Sequence, residues 1–387
     1  MLNVPTGSRH GEIPEGAATR KVEVSGDSAT VEIRDAQVDD GDATSALRNQ
    51  GLDPNEWETT GFRSSVWTMA NGEQGESKRF TFRRLSAAAV GPDIDELLAV
   101  IDGHQNLVCG ASEPREGIPG IIIPLGDMQF GKTDMEDWSE SEALDNTLSL
   151  LDATADRIAE EFLLDPVGKP EIAIVWLGDH VEGFVSQGGS NSWRTKLTLS
   201  EQIRLTRRVM MYAVEVFHPL ASRLTCVAVP GNHGETVRFQ GKGITRYDDS
   251  HDTEALICVS EVCQASPLYR DVVFLVPDND ELTVQFDIAN TTCLTAHGHA
   301  WRKGKHWEWW EGQTFHGNAG ASATVLLAGH LHHLNLESSG KRFFLQVPAL
   351  ESGSNWYRML TGTRPFPGVV TLKVLNGQVI GLEGLWK

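Results

Sequence analysis

Five short blocks of the sequence each join a run of apolar residues to side chains that can bind a metal ion. The blocks are Leu125-Gly126-Asp127-Met128-Gln129, Leu177-Gly178-Asp179-His180, Pro230-Gly231-Asn232-His233, Ala296-His297-Gly298-His299 and Gly329-His330-Leu331-His332. The apolar runs are typical of buried strands, and the polar side chains begin the loops that follow them. Because open α/β folds gather the ends of their strands at one edge, we expect these residues to meet in space.

The donor atoms in the blocks belong to Asp, Asn, Gln and His, which suit manganese, iron or zinc, and no cysteine is among them. The five cysteines of the chain are odd in number and form no Cys-x-x-Cys pair. We therefore expect free thiols, a reducing compartment and no disulfide framework.

Composition is typical of a globular protein, with 40% hydrophobic and 22% charged residues. The N-terminal residues lack the apolar core of a signal peptide, and no apolar run approaches the roughly 18 residues that span a bilayer. We expect a cytoplasmic protein with no membrane partner. The net charge of −20 tells against a broad electrostatic grip on nucleic acid.

With 387 residues the chain is long for one domain, and its patterns divide it into four parts. Residues 1–20 are polar and predicted to be a disordered tail. Residues 21–87 read as a small α+β module that begins with a hairpin, and residues 88–119 as a connector with an acidic helix. Residues 120–387 form the predicted catalytic domain.

Strand and helix patterns alternate in the first half of the catalytic domain. Apolar runs at Ile121–Ile123, Ile172–Leu177 and Leu224–Val229 are separated by amphipathic stretches at Glu140–Leu164 and Leu199–Phe217. This alternation is typical of a layered α/β core. After about residue 270 the pattern is mostly strands, which predicts a second sheet packed on the first.

In order and wording the five blocks resemble the calcineurin-like metallophosphoesterase superfamily. Its pattern is D-x-H, G-D-x-x-D, G-N-H-D/E, a lone His and G-H-x-H, and the match runs from Ile121 to Leu336, about half of the chain. The resemblance implies an α/β fold, a four-layer α/β/β/α metallophosphoesterase sandwich, here with the small N-terminal α+β module added. It also implies two divalent metal ions, with manganese favoured and iron or zinc as alternatives.

The resemblance assigns seven metal ligands, which are Asp127, Gln129, Asp179, Asn232, His297, His330 and His332. Asp179 would bridge the two ions and is one catalytic residue. The other is His233, which would steady the phosphate and protonate the leaving oxygen. Gln129 departs from the pattern, because a histidine usually stands there and an amide is a weaker donor, so the first metal is expected to be labile.

The opening Asp127-Met-Gln-Phe-Gly131-Lys132 resembles the D-x-H-x-G-K of SbcD-type DNA repair exonucleases. Basic and aromatic residues also alternate from Trp301 to Trp310, as expected where bases stack and a phosphate backbone is guided. The candidate substrate contacts are Trp193, Arg194, Arg302, Lys303 and Trp307. The rival interpretation is a helix whose tryptophans pack on the domain.

These features favour a metal-dependent phosphodiesterase, namely a DNA exonuclease of the repair or phage type, in the host cytoplasm if phage-encoded. Its partners would be DNA and, as in nuclease relatives, a second copy or an ATPase. The alternative is a small-substrate enzyme (a cyclic-nucleotide phosphodiesterase, phosphomonoesterase or protein phosphatase), which the net charge favours. A catalytically inactive scaffold is a third class.

In the N-terminal module, a basic strip (Lys78, Arg79, Arg83 and Arg84, with Trp67 and Phe82) predicts either a nucleic-acid contact or a solvated strand face.

Overall fold

The computed structural model describes residues 19–25, 28–34, 42–68, 74–84, 94–103, 117–132, 140–162, 168–186, 189, 195–239, 242–243, 245–351, 359, 362 and 366–387. The chain divides into two compact units, Met1–Val90 and Gly91–Lys387. The predicted tail, residues 1–20, lies outside the described residues except for its last two. Among the described helices, none combines the length and the apolar character that crossing a lipid bilayer requires.

The first unit is an antiparallel sheet with one short helix. In chain order its elements are β1 (Thr19–Ser25), β2 (Ser28–Arg34), α1 (Ala43–Arg48), a 3-10 turn (Pro54–Glu56), β3 (Trp57–Thr68) and β4 (Gln74–Arg84). The strand order is β1-β2-β4-β3. Val31 and Phe82 from the sheet pack with Leu47 of α1 in a small apolar core. β1 and β2 pair as the antiparallel hairpin predicted at the start of this segment.

The second unit contains the three described sheets of the segment predicted as the catalytic domain. In chain order its elements are α2 (Ile94–Asp102), β5 (Gly120–Leu125), α3 (Glu140–Phe162), β6 (Glu171–Trp176), α4 (Leu199–Phe217), β7 (Arg223–Ala228), β8 (Arg238–Phe239), β9 (Lys242–Gly243), α5 (His251–Ala265), β10 (Val273–Leu275), β11 (Thr283–Ile288), β12 (Thr291–Ala296), α6 (His306–Phe315), β13 (Val325–Ala328), β14 (Asn335–Ser339), β15 (Arg342–Gln346), β16 (Gly368–Leu375) and β17 (Gln378–Trp386). The predicted succession of strands after residue 270 is confirmed.

Most of these strands form two mixed sheets, and β8 and β9 pair with each other in a separate two-stranded sheet. The larger has the order β10-β7-β6-β5-β16-β17, and its first four strands are parallel to one another. The smaller has the order β11-β12-β13-β15-β14, with β12, β13 and β15 parallel. Parallel neighbours end at the same edge of a sheet, so the loops after β5, β6 and β7 lie together, as do those after β12 and β13.

Alternating side chains of the buried strands enter two different cores. In β5, Ile121 and Ile123 pack with the helices, in a cluster that includes Leu148 of α3 and Leu205 of α4. Ile122 points the other way and joins a cluster built from both sheets. The fold is therefore a mixed α/β unit in which one sheet packs against the other and helices cover the far face of the larger sheet.

The far face of the smaller sheet is covered by α6. Trp310 of this helix is fully buried against Leu326 of β13 and Phe344 of β15. Fully burying an aromatic side chain of this kind stabilises the fold by about 1.5–3 kcal/mol.

Helix α2, from the segment predicted as a connector, places Leu97 and Ile101 in the helical core.

Candidate metal centre

The five blocks follow β5, β6, β7, β12 and β13, and the structure brings residues from both sheets to one site. Asp179, His297 and His330 each offer a ligand atom, and these atoms all lie within 4.8 Å of one another. Asp179 follows a strand of the larger sheet, whereas the two histidines follow strands of the smaller one. Such a set of one carboxylate and two imidazoles suits a divalent transition metal.

The backbone at these blocks adopts a conformation that most residues avoid. The φ angles of Asp127, Gln129, Asp179, His330 and His332 are 56°, 44°, 56°, 73° and 57°, all in the left-handed region. Non-glycine residues seldom occupy this region, and those that do are held there by the surrounding structure and cluster at functional sites.

Glycine precedes the candidate ligands because the loops are packed backbone to backbone. A Cβ at Gly178 would lie 2.6 Å from the backbone nitrogen of Gly231, and one at Gly329 would lie 2.8 Å from Asp127 Oδ2. Real Cβ atoms do not approach other atoms so closely. The Gly-Asp, Gly-Asn and Gly-His dipeptides of the blocks are therefore explained by the close approach of the loops.

His297 is fixed in orientation by contacts on both ring nitrogens. Its Nδ1–H donates to the carbonyl oxygen of Leu177 at 2.7 Å. Nε2 consequently carries the lone pair of the neutral ring, and it lies 3.0 Å from Asp179 Oδ2 and 3.2 Å from His330 Nδ1. A backbone carbonyl that fixes the tautomer in this way is a common partner of metal-binding histidines.

Asn232 and His233 lie beside Asp179. The backbone N–H of His233 donates to Asp179 Oδ1 at 2.7 Å, and its ring Nδ1–H donates to the carbonyl oxygen of Glu182 at 3.0 Å. Among the described residues, Asn232 Oδ1 is buried and receives no hydrogen bond. A buried acceptor without a donor is costly, and a metal ion would satisfy it. The donor set therefore fits a cation here.

A second group surrounds Asp127. Asp127 Oδ2 accepts the backbone N–H of His330 at 3.0 Å, and its Oδ1 lies 3.2 Å from His332 Nε2. His332 Nδ1–H donates to Glu351 Oε1 at 2.7 Å. Glu351 is buried, and it follows β15 much as the candidate ligands follow their own strands. The five-block pattern did not include Glu351.

Gln129 lies close to this second group, but its amide oxygen has another partner. Lys132 Nζ donates to Gln129 Oε1 at 2.6 Å and lies 3.0 Å from Glu351 Oε2. The ligand role predicted for Gln129 would require this same oxygen, so the residues present fit a metal less well here than at Asp179.

Asp252, on the first turn of α5, is a further positioning residue that the sequence reading missed. Its Oδ2 accepts the backbone N–H groups of Asp179 at 3.0 Å and Gly231 at 2.9 Å, and its Oδ1 accepts that of His180 at 2.9 Å. The Ser250-x-Asp252 start of α5 is a recognisable helix cap, but nothing in the pattern indicates that the Asp faces two other loops.

Electrostatics divide the histidines of the site into two kinds. Burial alone would lower the pKa of His297 and His332, but the charge of Asp179 raises the pKa of His297 to about 9 and that of Asp127 raises the pKa of His332 to about 10. For His330, burial and the neighbouring His297 lower the pKa to about 4. A metal ion that binds at His297 must therefore displace a proton.

The candidate substrate contacts are only partly described. Trp193 and Arg194 lie outside the described residues, whereas the side chains of Arg302 and Lys303 are exposed. The indole N–H of Trp307 donates to Glu337 Oε2 at 2.8 Å, and its ring stacks 5.6 Å from that of Trp310. These contacts favour the interpretation in which the tryptophans pack on the domain.

The basic strip of the N-terminal module is balanced by acidic partners. Three of its arginines form ion pairs, which are Arg79 with Glu32, Arg83 with Glu58 and Arg84 with Glu56. Phe82 is fully buried and cannot stack on a base. The described residues of this strip favour a solvated strand face over a nucleic-acid contact.

No family model and no curated protein matches the chain. Among solved structures it is similar to Vps29 with Zn²⁺ from Entamoeba histolytica, at 14% identity and a TM-score of 0.30, covering 69% of this chain and 98% of that one. It is also similar to an archaeal phosphodiesterase, at 13% identity and a TM-score of 0.32, covering 69% of this chain and 99% of that one. A predicted phosphoesterase from Streptococcus pneumoniae is similar at 11% identity and a TM-score of 0.27, covering 70% of this chain and 98% of that one. Similarities at this level identify no family, so the functional interpretation rests on the site.

Proposed function

We propose that the chain is a metal-dependent phosphoesterase and that its second unit has the four-layer α/β/β/α arrangement of the metallophosphoesterase superfamily. The observation that carries the proposal is the meeting of Asp179, His297 and His330 at the strand ends of two sheets. The buried, unpaired Oδ1 of Asn232 supports the same site.

In this proposal Asp179, Asn232, His297 and His330 hold a divalent cation, which would supply Lewis acidity toward a phosphate ester. Asp179 brings the negative charge that attracts the cation, and the carbonyl of Leu177 keeps His297 Nε2 directed at the site. The strained, tightly packed loops hold these donors in place before the substrate arrives.

His233 is proposed as the general acid. Because its Nδ1–H is directed to the carbonyl of Glu182, Nε2 is the nitrogen able to pass a proton to the leaving oxygen. In the metal-free chain burial opposes protonation, but the carboxylates of Asp179 and Glu182 raise the pKa of His233 to about 9. A proton on Nε2 is the one that an alkoxide leaving group would need.

The substrate that we favour is a small phosphodiester. Three observations support a small substrate over a polymer: the net charge of −20, the packed tryptophans of α6 and the ion-paired arginines of the N-terminal module. Binding of a nucleic acid relies on a basic surface and on exposed aromatic side chains that stack on bases, and these three observations tell against both features.

A DNA exonuclease is the second candidate, with manganese as its cofactor. It is supported by the exposed basic pair Arg302 and Lys303, which follows the block containing His297 and His299. The resemblance of the segment Asp127–Lys132 to the opening block of repair nucleases points the same way.

The two candidates separate in a substrate panel. The purified chain with manganese would be assayed on bis-p-nitrophenyl phosphate, cyclic nucleotides, phosphomonoesters and linear DNA, beside Asp179→Asn and the exposed control Asp278→Asn. Hydrolysis of small diesters with intact DNA supports the first candidate, and shortening of DNA supports the second. No hydrolysis of any substrate, or equal activity in Asp179→Asn, would overturn the phosphoesterase proposal.

A further inference from the structure

A tight turn brings Lys132 back onto Gln129. The backbone N–H of Lys132 donates to the carbonyl of Gln129 at 3.0 Å, and Gly131 within the turn has a φ of 100°. The turn is also held by Phe130, whose N–H donates to the carbonyl of His180 at 3.0 Å and whose carbonyl accepts the N–H of Glu182 at 2.9 Å. As a result, Lys132 Nζ lies against the oxygen that a metal ion in the first site would need.

The ammonium of Lys132 also belongs to a continuous polar chain. Glu351 accepts Lys132 on one carboxylate oxygen and His332 Nδ1–H on the other, and His332 Nε2 faces Asp127. The residues predicted for the first metal, which are Asp127, Gln129 and His332, are thereby linked to one another through a lysine and a glutamate. The linkage engages Gln129 Oε1 and His332 Nδ1, whereas Asp127 Oδ1 has His332 Nε2 at 3.2 Å and accepts no hydrogen bond among the described residues.

Charge strengthens this conclusion. Lys132 is mostly buried, with 20% of its side chain exposed, and Glu351 is 3% exposed. Charges in such surroundings are screened far less than charges in water, so the ammonium opposes a divalent ion beside Gln129, while the Glu351 carboxylate offsets part of that positive charge. Within the part of the chain that the structure describes, Asp179, His297 and His330 have no such cation in contact with them, and their ligand atoms all lie within 4.8 Å of one another.

We propose that this chain binds one divalent cation rather than two, and that the ammonium of Lys132 stands in the place of the other. The inference rests on the proposed phosphoesterase function and narrows it. The single ion is held by Asp179, Asn232, His297 and His330, while Lys132 supplies a fixed positive charge beside Gln129.

The test counts Mn²⁺ on the full chain by isothermal titration calorimetry and elemental analysis. Electron paramagnetic resonance distinguishes an isolated Mn²⁺ ion from a coupled pair. The wild type is expected to bind one ion with the spectrum of an isolated centre. Gln129→His combined with Lys132→Met should bind a second ion, about 10–100-fold more tightly than either single variant does.

Lys132→Gln with Gln129→His is a second double variant, because glutamine retains an N–H donor for Glu351 where methionine does not. Thermal unfolding and the first binding event report whether each variant is folded. Two ions in the wild type would overturn this inference and leave the phosphoesterase proposal standing. One bound ion in the wild type and in both double variants would show that Lys132 is not what prevents a second ion from binding, and would overturn this inference. No bound ion in the wild type would overturn both proposals.

Discussion

The carboxylate of Asp252 accepts the backbone N–H of Asp179, so a residue at the start of α5 holds the loop that carries the central candidate ligand. It also binds the N–H of Gly231, and this second contact joins the loops after β6 and β7. Its Oδ1 accepts the N–H of His180, so both oxygens of Asp252 shape the site, although neither is proposed to touch a metal ion.

Asp252→Asn should consequently destabilise the protein and weaken metal binding together. An amide offers one acceptor and two N–H donors, so at least one backbone N–H would face another donor, at a cost of about 1–3 kcal/mol. Urea unfolding and calorimetry with Mn²⁺ measure the two effects. The control is the exposed Asp278→Asn, and equal stability of the two variants would contradict the role given to Asp252.

His233→Gln should lower kcat in a manner that depends on the leaving group. For an alkyl phosphodiester, loss of a general acid costs about 10²–10⁴-fold in rate. A p-nitrophenolate group leaves without a proton, so its ester should be affected far less. Exposed His316→Gln is the control. A uniform loss on both esters would show that His233 acts on binding or folding and not on proton transfer.

Gly231→Ala should disrupt the centre even though only one methyl group is added. The new Cβ would overlap the side-chain oxygen and backbone nitrogen of Asp179, and overpacking of this kind costs about 1–3 kcal/mol. Gly312→Ala, on α6, is the matched control, because a Cβ there meets nothing within 4 Å and alanine favours a helix by about 0.5–1 kcal/mol. Thermal unfolding should move in opposite directions for the two variants.

The loss of stability with rising pH between about 6.5 and 9 should largely disappear when metal is added. In the metal-free chain the pKa of His297 is raised from 6.5 to about 9, so the stability gained from its protonation is complete below about pH 6.5 and is lost as the pH rises through 9. Metal requires the neutral ring, so stabilisation by Mn²⁺ should grow over the same interval. Melting temperatures with EDTA and with Mn²⁺ test this. His297→Gln should reduce both trends, with His233 and His332 accounting for the remainder in the metal-free chain, and an unchanged profile would contradict the assignment.

Replacing Trp307 by Phe tests whether α6 contacts nucleic acid. If the indole only packs on the domain and binds Glu337, DNA affinity should not change while stability falls slightly through the lost hydrogen bond. Because phenylalanine can still stack on a base, Trp307→Ala is measured beside it, and loss of a stacked base would cost about 1–3 kcal/mol of DNA affinity in that variant. Fluorescence anisotropy with labelled single-stranded DNA distinguishes the two, and Arg302→Ala is the companion variant for backbone contacts.

The sequence predicts the buried half of the fold better than its edges. Strands such as β5 and β6 are buried on both faces, so their apolar runs are unmistakable. The edge strands β14 and β17 were missed because exposed positions alternate along them and leave a weak apolar pattern. Helix α5 was not predicted either, although Ser250 caps its first turn.

The residues of the site also differ in how well the sequence predicts them. Ligand candidates that end a strand, such as Asp179 and His330, could be read from their position, because strand ends converge. The partners of those residues could not, since Asp252 and Glu351 reach the site from elements whose packing no local pattern encodes. The contact between Gln129 and Lys132 depends on a turn whose geometry becomes visible only in three dimensions.

The hydrogen bond from His297 to the carbonyl of Leu177 joins the smaller sheet to the larger one across 120 positions of the chain. During synthesis, Asp127, Asp179 and Asn232 emerge long before His297 and His330 exist. A nascent or truncated polypeptide that ends before β12 therefore contains the oxygen donors of the centre but lacks His297 and His330. The proposed phosphoester hydrolysis would begin only when the second sheet has been made and docked, so no product of translation that ends before His330 would share the activity.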